Sequence, residues 1–213
     1  MADVTAVLFD ADGVLQLAPD HLHLGLAEAM GRPAHESQAC MAAVYEAEHP
    51  ALTGAARFED GLVEVLARLG ATCDPQTVIR HWSTIGVDPQ AMALVARLRS
   101  AGIWCALASN QERNRARHMS LTLGHGAAFD REFYSCDVGH AKPSPDYFRA
   151  VIALAGIDPA RTLFIDDRAD NVEAARGCGL RAEQFVLWQA PGGASALGEL
   201  LAGYGLPVES AIA

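Results

Sequence analysis

Asp10 and Asp12 stand two positions apart in Val4-Thr5-Ala6-Val7-Leu8-Phe9-Asp10-Ala11-Asp12-Gly13-Val14-Leu15. The mostly apolar, Val-containing stretch before Asp10 reads as a buried parallel strand. Carboxylates at the end of such a strand are costly unless a cation or a substrate compensates them. One acid of the pair suits nucleophilic attack and its neighbour suits proton transfer. Carboxylate oxygens also suit Mg²⁺. Three more groups of the same kind follow. Ser109-Asn110 closes the apolar run Ile103–Ala108, and Asp166-Asp167 closes Thr162–Ile165, with Asn171 just beyond. Lys142 lies in the turn-rich stretch Gly139-His140-Ala141-Lys142-Pro143-Ser144-Pro145. It is the only lysine in a chain with fifteen arginines, and its compact ammonium is not interchangeable with a planar guanidinium. Taken singly, Asp12-Gly13 is a common turn pair, Ser109-Asn110 a helix cap and Asp166-Asp167 a solvated strand end. Together they supply a nucleophile, a hydroxyl donor, a cation and metal-binding acids, the set that phosphoryl transfer requires.

These groups act together only if the elements bring them to one edge. From residue 87 onward helical and strand patterns alternate. Helices are expected at Pro89–Ala101, Gln111–Leu123, Pro145–Ala155, Asn171–Cys178 and Ser195–Ala202. Strands are expected at Ile103–Ala108, Phe133–Ser135, Thr162–Ile165 and Phe185–Trp188. Such alternation implies a doubly wound α/β fold with a parallel sheet and right-handed crossovers, and ligands then sit at the carboxyl ends of the strands. Residues 17–86 carry no convincing strand. Their helical patterns fall at Asp20–Met30, His35–His49, Arg57–Leu69 and Pro75–Ile85. This reads as a helical insert of 70 residues (17–86) into a core formed by 1–16 and 87–213. An insert whose two ends return to the same sheet edge can exclude water and touch substrate.

Composition excludes several classes. The chain has 213 residues, 51% hydrophobic, enough for a packed core. A formal charge of −10 and a pI near 5.2 disfavour nucleic acid and anionic membranes. No apolar run approaches the roughly 18 residues of a membrane span. The N-terminus lacks the basic start of a signal peptide. Five scattered cysteines without a C-x-x-C pair fit free thiols in the cytoplasm. None of the eight histidines has zinc-ligand spacing, so they are read as solvated or packing residues. His21 and His23 are the two placed to approach a substrate. Trp82, Trp104 and Trp188 are read as core or interface residues, and Arg113, Arg115 and Arg117 as a solvated helix face, with one of them able to reach an anionic substrate.

The four motifs, in this order and spacing, resemble the haloacid dehalogenase superfamily in its branch with a helical cap after the first motif. The likeness covers nearly the whole chain and implies a Rossmann-like core. It implies that Asp10 attacks phosphorus and forms an aspartyl-phosphate. Asp12 then protonates the leaving oxygen and later activates water. Ser109 and the Asn110 loop bind phosphoryl oxygens, and Lys142 neutralises charge beside Asp10. Mg²⁺ is held by Asp10, the Asp12 backbone carbonyl and Asp167, with Asp166 on the metal or on a metal-bound water. Asn171 orients the fourth loop or Lys142. Many capped relatives carry an acid and a small polar residue where this chain has Gln16-Leu17, so no substrate is borrowed from the sugar-phosphate mutases.

The expectation is a cytoplasmic, Mg²⁺-dependent phosphatase of a small phosphorylated metabolite, a sugar phosphate among the candidates, acting as monomer or homodimer. A phosphomutase like beta-phosphoglucomutase is the alternative. A dehalogenase is disfavoured because halide leaves without the proton that Asp12 provides. A non-catalytic binding module does not need both nucleophile and acid.

Overall fold

Alternation along β1 (Ala6–Phe9) sets up two cores on the two faces of one sheet. Val7 and Phe9 pack to one side and Leu8 to the other, all fully buried. The computed structural model describes residues 3–208. In chain order its strands are β1, β2 (Gln16–Leu17), β3 (Gly86–Val87), β4 (Trp104–Ser109), β5 (Arg131–Tyr134), β6 (Thr162–Asp166) and β7 (Arg181–Gln184). Five of them form a parallel sheet in the order β5-β4-β1-β6-β7. The chain builds outward from β1 through β4 to β5, then crosses to β6 and β7. The switch therefore falls at β1, with Phe9 level with Leu107 on one side and Ile165 on the other. This is the doubly wound α/β architecture expected.

The helices are α1 (Leu22–Ala29), α2 (Ser37–Glu48), α3 (Phe58–Leu69), α4 (Pro75–Trp82), α5 (Pro89–Ser100), α6 (Arg113–Leu121), α7 (His125–Ala128), α8 (Ser135–Val138), α9 (Pro145–Ala155), α10 (Ala169–Gly177) and α11 (Ala194–Gly203). Leu94, Leu98, Met119, Leu197 and Leu201 of α5, α6 and α11 cover the Val7 face. Phe148, Val151, Val172 and Ala175 of α9 and α10 cover the Leu8 face. Side-chain caps start several of these helices. Asp88 accepts from the N–H groups of Gln90 and Ala91 (2.9 and 2.8 Å) ahead of Pro89, and Glu112 accepts from Asn114 and Arg115 (2.7 Å each).

Helices α1–α4 share a separate apolar cluster that includes Leu26, Val44, Phe58, Leu62, Val78 and Trp82. Both ends of this segment pass through a two-stranded antiparallel ribbon, Gln16 opposite Val87 and Leu17 opposite Gly86. The sequence pattern does not reveal this ribbon, because two residues per strand are too few to show a period. The segment meets the rest of the chain beside α6 and α8. Asn114 Nδ2 donates to Glu59 Oε1 across this junction (3.1 Å).

The last strand differs from expectation. The apolar run Phe185–Trp188 is a loop leading into a turn, and the strand is the polar Arg181–Gln184 just before it. An edge strand is half solvated and need not be apolar. Phe185 and Leu187 are apolar because they drop into the core from the turn, where the Leu187 N–H donates to the Gly13 carbonyl (2.8 Å). The fifth strand begins two residues earlier than expected, at Arg131.

Candidate active site

Three strand ends deliver their polar groups to one edge. Asp10 follows β1, Ser109 closes β4 and Asp166 closes β6. Lys142 reaches them from the loop before α9 and is 5% exposed. Its three N–H groups are all used: Asp166 Oδ2 at 2.6 Å, the Ala108 carbonyl at 2.8 Å and Asp10 Oδ1 at 3.0 Å. Burial alone would lower the lysine, but Asp10 and Asp166 outweigh it and hold the ammonium above its ordinary value. Asn110 fixes that loop from both sides: its Nδ2 donates to the Lys142 carbonyl (2.8 Å) and its Oδ1 accepts from the Lys142 N–H (2.9 Å). The Asn110 side chain is thus engaged with the lysine backbone.

Asp166, fully buried, is saturated. Asn171 Nδ2 donates to both its oxygens (2.9 and 3.0 Å), the Arg168 N–H donates to Oδ1 (2.9 Å), and Lys142 takes Oδ2. Of the two roles left open for Asn171, the structure shows the contact to Asp166. Oxygens of Asp10, Asp166 and Asp167 lie within 4.8 Å of one another. Asp10 is pushed up to about 7, by burial first and then by Asp166 and Asp12, with Lys142 opposing. Asp167 is pushed up to about 6 by burial and Asp166, against Lys142 and Arg168. Gly13, at φ +82°, permits this crowding: a Cβ there would stand 2.6 Å from Asp167 Oδ2 and 2.8 Å from the Trp188 ring.

Asp12 points elsewhere. Arg115 grips it in a bidentate pair, Nη1 to Oδ2 and Nη2 to Oδ1, both 3.0 Å. Gln16 Nε2 donates to Oδ1 (3.0 Å) and Gln111 Nε2 to Oδ2 (2.8 Å). Burial would raise this carboxyl, but the Arg115 charge and these hydrogen bonds more than reverse it and hold it below the ordinary value. Behind Gln16, its Oε1 lies 2.9 Å from His125 Nε2. Both side chains are fully buried, and burial holds His125 neutral, down to about 4. A neutral ring that donates through Nε2 fixes the amide so that its NH₂ faces Asp12. Ser109 Oγ accepts from Gln111 Nε2 (3.2 Å), which leaves its O–H as a donor.

These groups line a cleft of about 760 Å³ between the sheet edge and helices α1, α2 and α4. Leu17, Asp20, Leu22, Tyr45, Glu48, His49, Leu52 and Trp82 form the helical wall. Glu48 is 7% exposed, and its Oε1 accepts from Trp82 Nε1 (2.8 Å). Burial pushes it up to about 7, opposed by Trp82 and Arg115 and reinforced by Glu112 and Asp12. The Arg115 guanidinium also sits 5.5 Å from the Trp82 ring centre.

Several expectations change. Arg115 does not belong to a solvated face; only Arg113 and Arg117 do. Its spacing from Glu112, Ala116 and Met119 puts it on the buried side of α6, a signal the sequence carries. Of the core and interface readings of Trp188, the core one does not hold: the ring is 57% exposed at the mouth of the cleft. The histidine that lines the cleft is His49, in place of His21 or His23. Glu48, Gln111 and His125 have no motif to mark them.

A doubly wound parallel sheet that gathers acids, a buried lysine and a serine at one edge defines a Rossmann-like α/β core with its candidate site at the switch point. The chain belongs to the haloacid dehalogenase-like hydrolase family, which matches residues 4–179. It is 27% identical over 195 residues to Protein SUPPRESSOR OF QUENCHING 1, chloroplastic, of Arabidopsis thaliana, covering 84% of this chain and 17% of that one. It is 30% identical over 95 residues to phosphoserine phosphatase of Thermus thermophilus, covering 44% and 38% of the two chains. The chain thus spans less than half the length of these curated relatives. A HAD family enzyme of Bacteroides thetaiotaomicron, solved as a magnesium complex, superposes with a TM-score of 0.75 at 19% identity over 87% of this chain and 94% of that one. The five cysteines are free, and no helix among the described residues is long and apolar enough to cross a membrane.

Proposed function

We propose that this protein is a Mg²⁺-dependent phosphatase of small phosphorylated metabolites, in which residues 17–86 act as a cap over the catalytic core. The observation that carries this reading is Asp10: a buried carboxylate at the carboxyl end of the central strand, 3.0 Å from Lys142 and open to the cleft. Relatives named as phosphatases support it. Asp10 attacks phosphorus, the alcohol leaves, and water then cleaves the aspartyl-phosphate. Lys142 offsets the repulsion between Asp10 and a phosphate dianion. Ser109 donates its hydroxyl to a phosphoryl oxygen. Asp12, held as an anion by four donors, suits removal of a proton from the attacking water. To assist departure, the same carboxyl must part from Arg115 and take up a proton, which it gives to the leaving oxygen and regains from the attacking water.

The donor set fits Mg²⁺. It is all oxygen, and the raised Asp10 and Asp167 mark negative charge that one lysine does not balance. Asp10 and Asp167 would hold the ion, and the saturated Asp166 would act behind them through Lys142 and Asn171. The ion would supply charge stabilisation to the transferring phosphoryl group.

The test is phosphate release from a panel of phosphate esters and an aryl phosphate, with Mg²⁺, with EDTA and with Asp10→Asn. Turnover is expected to need the metal and to fall about a thousandfold or more in Asp10→Asn. No turnover of any ester by folded protein with Mg²⁺ would leave a phosphomutase or a binding role.

A further inference from the structure

The cleft has two ends with different chemistry. Asp10, Lys142 and Ser109 form the phosphate end. The opposite wall comes from the helices, and its deepest polar group is Glu48. One oxygen of Glu48 is tied to the Trp82 indole, which fixes the carboxyl in place. The other, Oε2, receives no hydrogen bond among the described residues and is not sealed from solvent. It is an acceptor built into the wall facing the leaving group.

The cations of the cleft sharpen the point. Lys142 is bonded to Asp10 and Asp166, Arg115 to Asp12, and Arg168 to Asp170 at 2.7 Å. Lys142 and Arg115 are thus committed inside the cleft, and the basic groups at its mouth are Arg168, in an exposed pair with Asp170, and His49. Meanwhile Glu48 and Asp20 present acceptors on the helical wall. What such a wall recognises is a hydrogen-bond donor such as a hydroxyl, and what it disfavours is a carboxylate or second phosphate.

We propose that Glu48, held by Trp82, is a leaving-group subsite that selects phosphate esters of neutral, hydroxyl-bearing alcohols over esters carrying a second anionic group. This rests on the phosphatase reading above and adds its substrate class.

The experiment compares kcat/KM for matched esters, erythritol 4-phosphate against 4-phosphoerythronate and against the corresponding terminal amine, in wild type and in Glu48→Gln. The assays are run at pH 8, above the value near 7 to which burial raises Glu48, so that wild type carries the charge; the glutamine keeps a carbonyl oxygen for Trp82 and removes that charge. Wild type is expected to favour the polyol over the acid by at least about 100-fold, and Glu48→Gln to shrink that ratio by about tenfold or more. The amine, which also donates hydrogen bonds, is expected to outperform the acid. A second measurement needs no variant: free erythritol should inhibit wild type at lower concentration than erythronate. Equal use of polyol and acid, a ratio unmoved by Glu48→Gln, an amine used no better than the acid or stronger inhibition by erythronate would each overturn the subsite. Turnover of an aryl phosphate by wild type, lost in Asp10→Asn, stands apart from all of these. Its failure would remove the phosphatase reading itself.

Discussion

Asp10 and Asp12 leave the same loop two residues apart, and their surroundings have little in common. Asp10 shares one ammonium with Asp166 and is crowded by other acids, so it sits near 7. Asp12 has four donors on its two oxygens and sits below the ordinary carboxylate value. Asp10 is short of positive charge and awaits a cation and a phosphate. Asp12 is already complete and must be released before it can protonate anything. Environment, rather than residue type, separates the two acids. The difference extends outward. The Asp10 end is made of strand ends and one loop, while the Asp12 end draws on α6, the β2 ribbon and, through Arg115 and Trp82, helix α4.

The strongest way to break this contrast is Lys142→Met. It strips the ammonium shared by Asp10 and Asp166 and leaves the fully buried Asp166 without its counter-charge. Turnover should fall about a thousandfold or more, and urea unfolding should show a loss of about 3–5 kcal/mol. A stability change under about 1 kcal/mol would show that the acids do not depend on this lysine.

Arg115→Met attacks the other end. Asp12 keeps its two amide donors but loses its counter-charge, so its carboxyl should rise. The acidic limb of the kcat–pH profile should move to higher pH and kcat should fall about 10- to 100-fold. An unmoved limb would mean that Arg115 does not govern Asp12.

Glu48→Gln tests whether the helical wall carries a real charge. The folded state binds the Glu48 proton more tightly than the unfolded chain, near 7 against 4.5. Wild-type stability from this group is therefore present at low pH and is lost as pH rises from about 4.5 through 7. The variant should flatten that decline, gaining up to about 3 kcal/mol relative to wild type between pH 5 and 8. Parallel stability curves would place Glu48 in a wetter setting than the structure shows.

The smallest effect is expected from Gln16→Leu. It removes one of Asp12's donors and leaves the His125 ring without its partner, for a loss of about 1–2 kcal/mol by thermal or urea unfolding. A neutral result would detach His125 from the Asp12 network.

Much of the Asp10 end is legible in the amino-acid sequence. The runs ahead of Asp10, Ser109 and Asp166 are apolar because central parallel strands are buried on both faces, and each carries its polar group at its end. The polar edge strand Arg181–Gln184 is invisible by the same logic. Arg115 reads as solvated beside the exposed Arg113 and Arg117, although Ala116 and Met119 mark its side of α6 as buried. Glu48 and Trp82 are 34 residues apart and belong to no motif.

That these carboxylates, the serine and the lysine share one edge follows from local pattern alone. A strand end is a local property, and a parallel sheet turns every strand end the same way. Which oxygen meets which donor is instead a matter of packing in three dimensions. Arg115 and Gln111 reach Asp12 across separations of 103 and 99 residues, and Glu48 faces the phosphate end only because α2 lies over the sheet edge. Contacts of that range depend on how whole elements pack against one another, which no local period or spacing encodes.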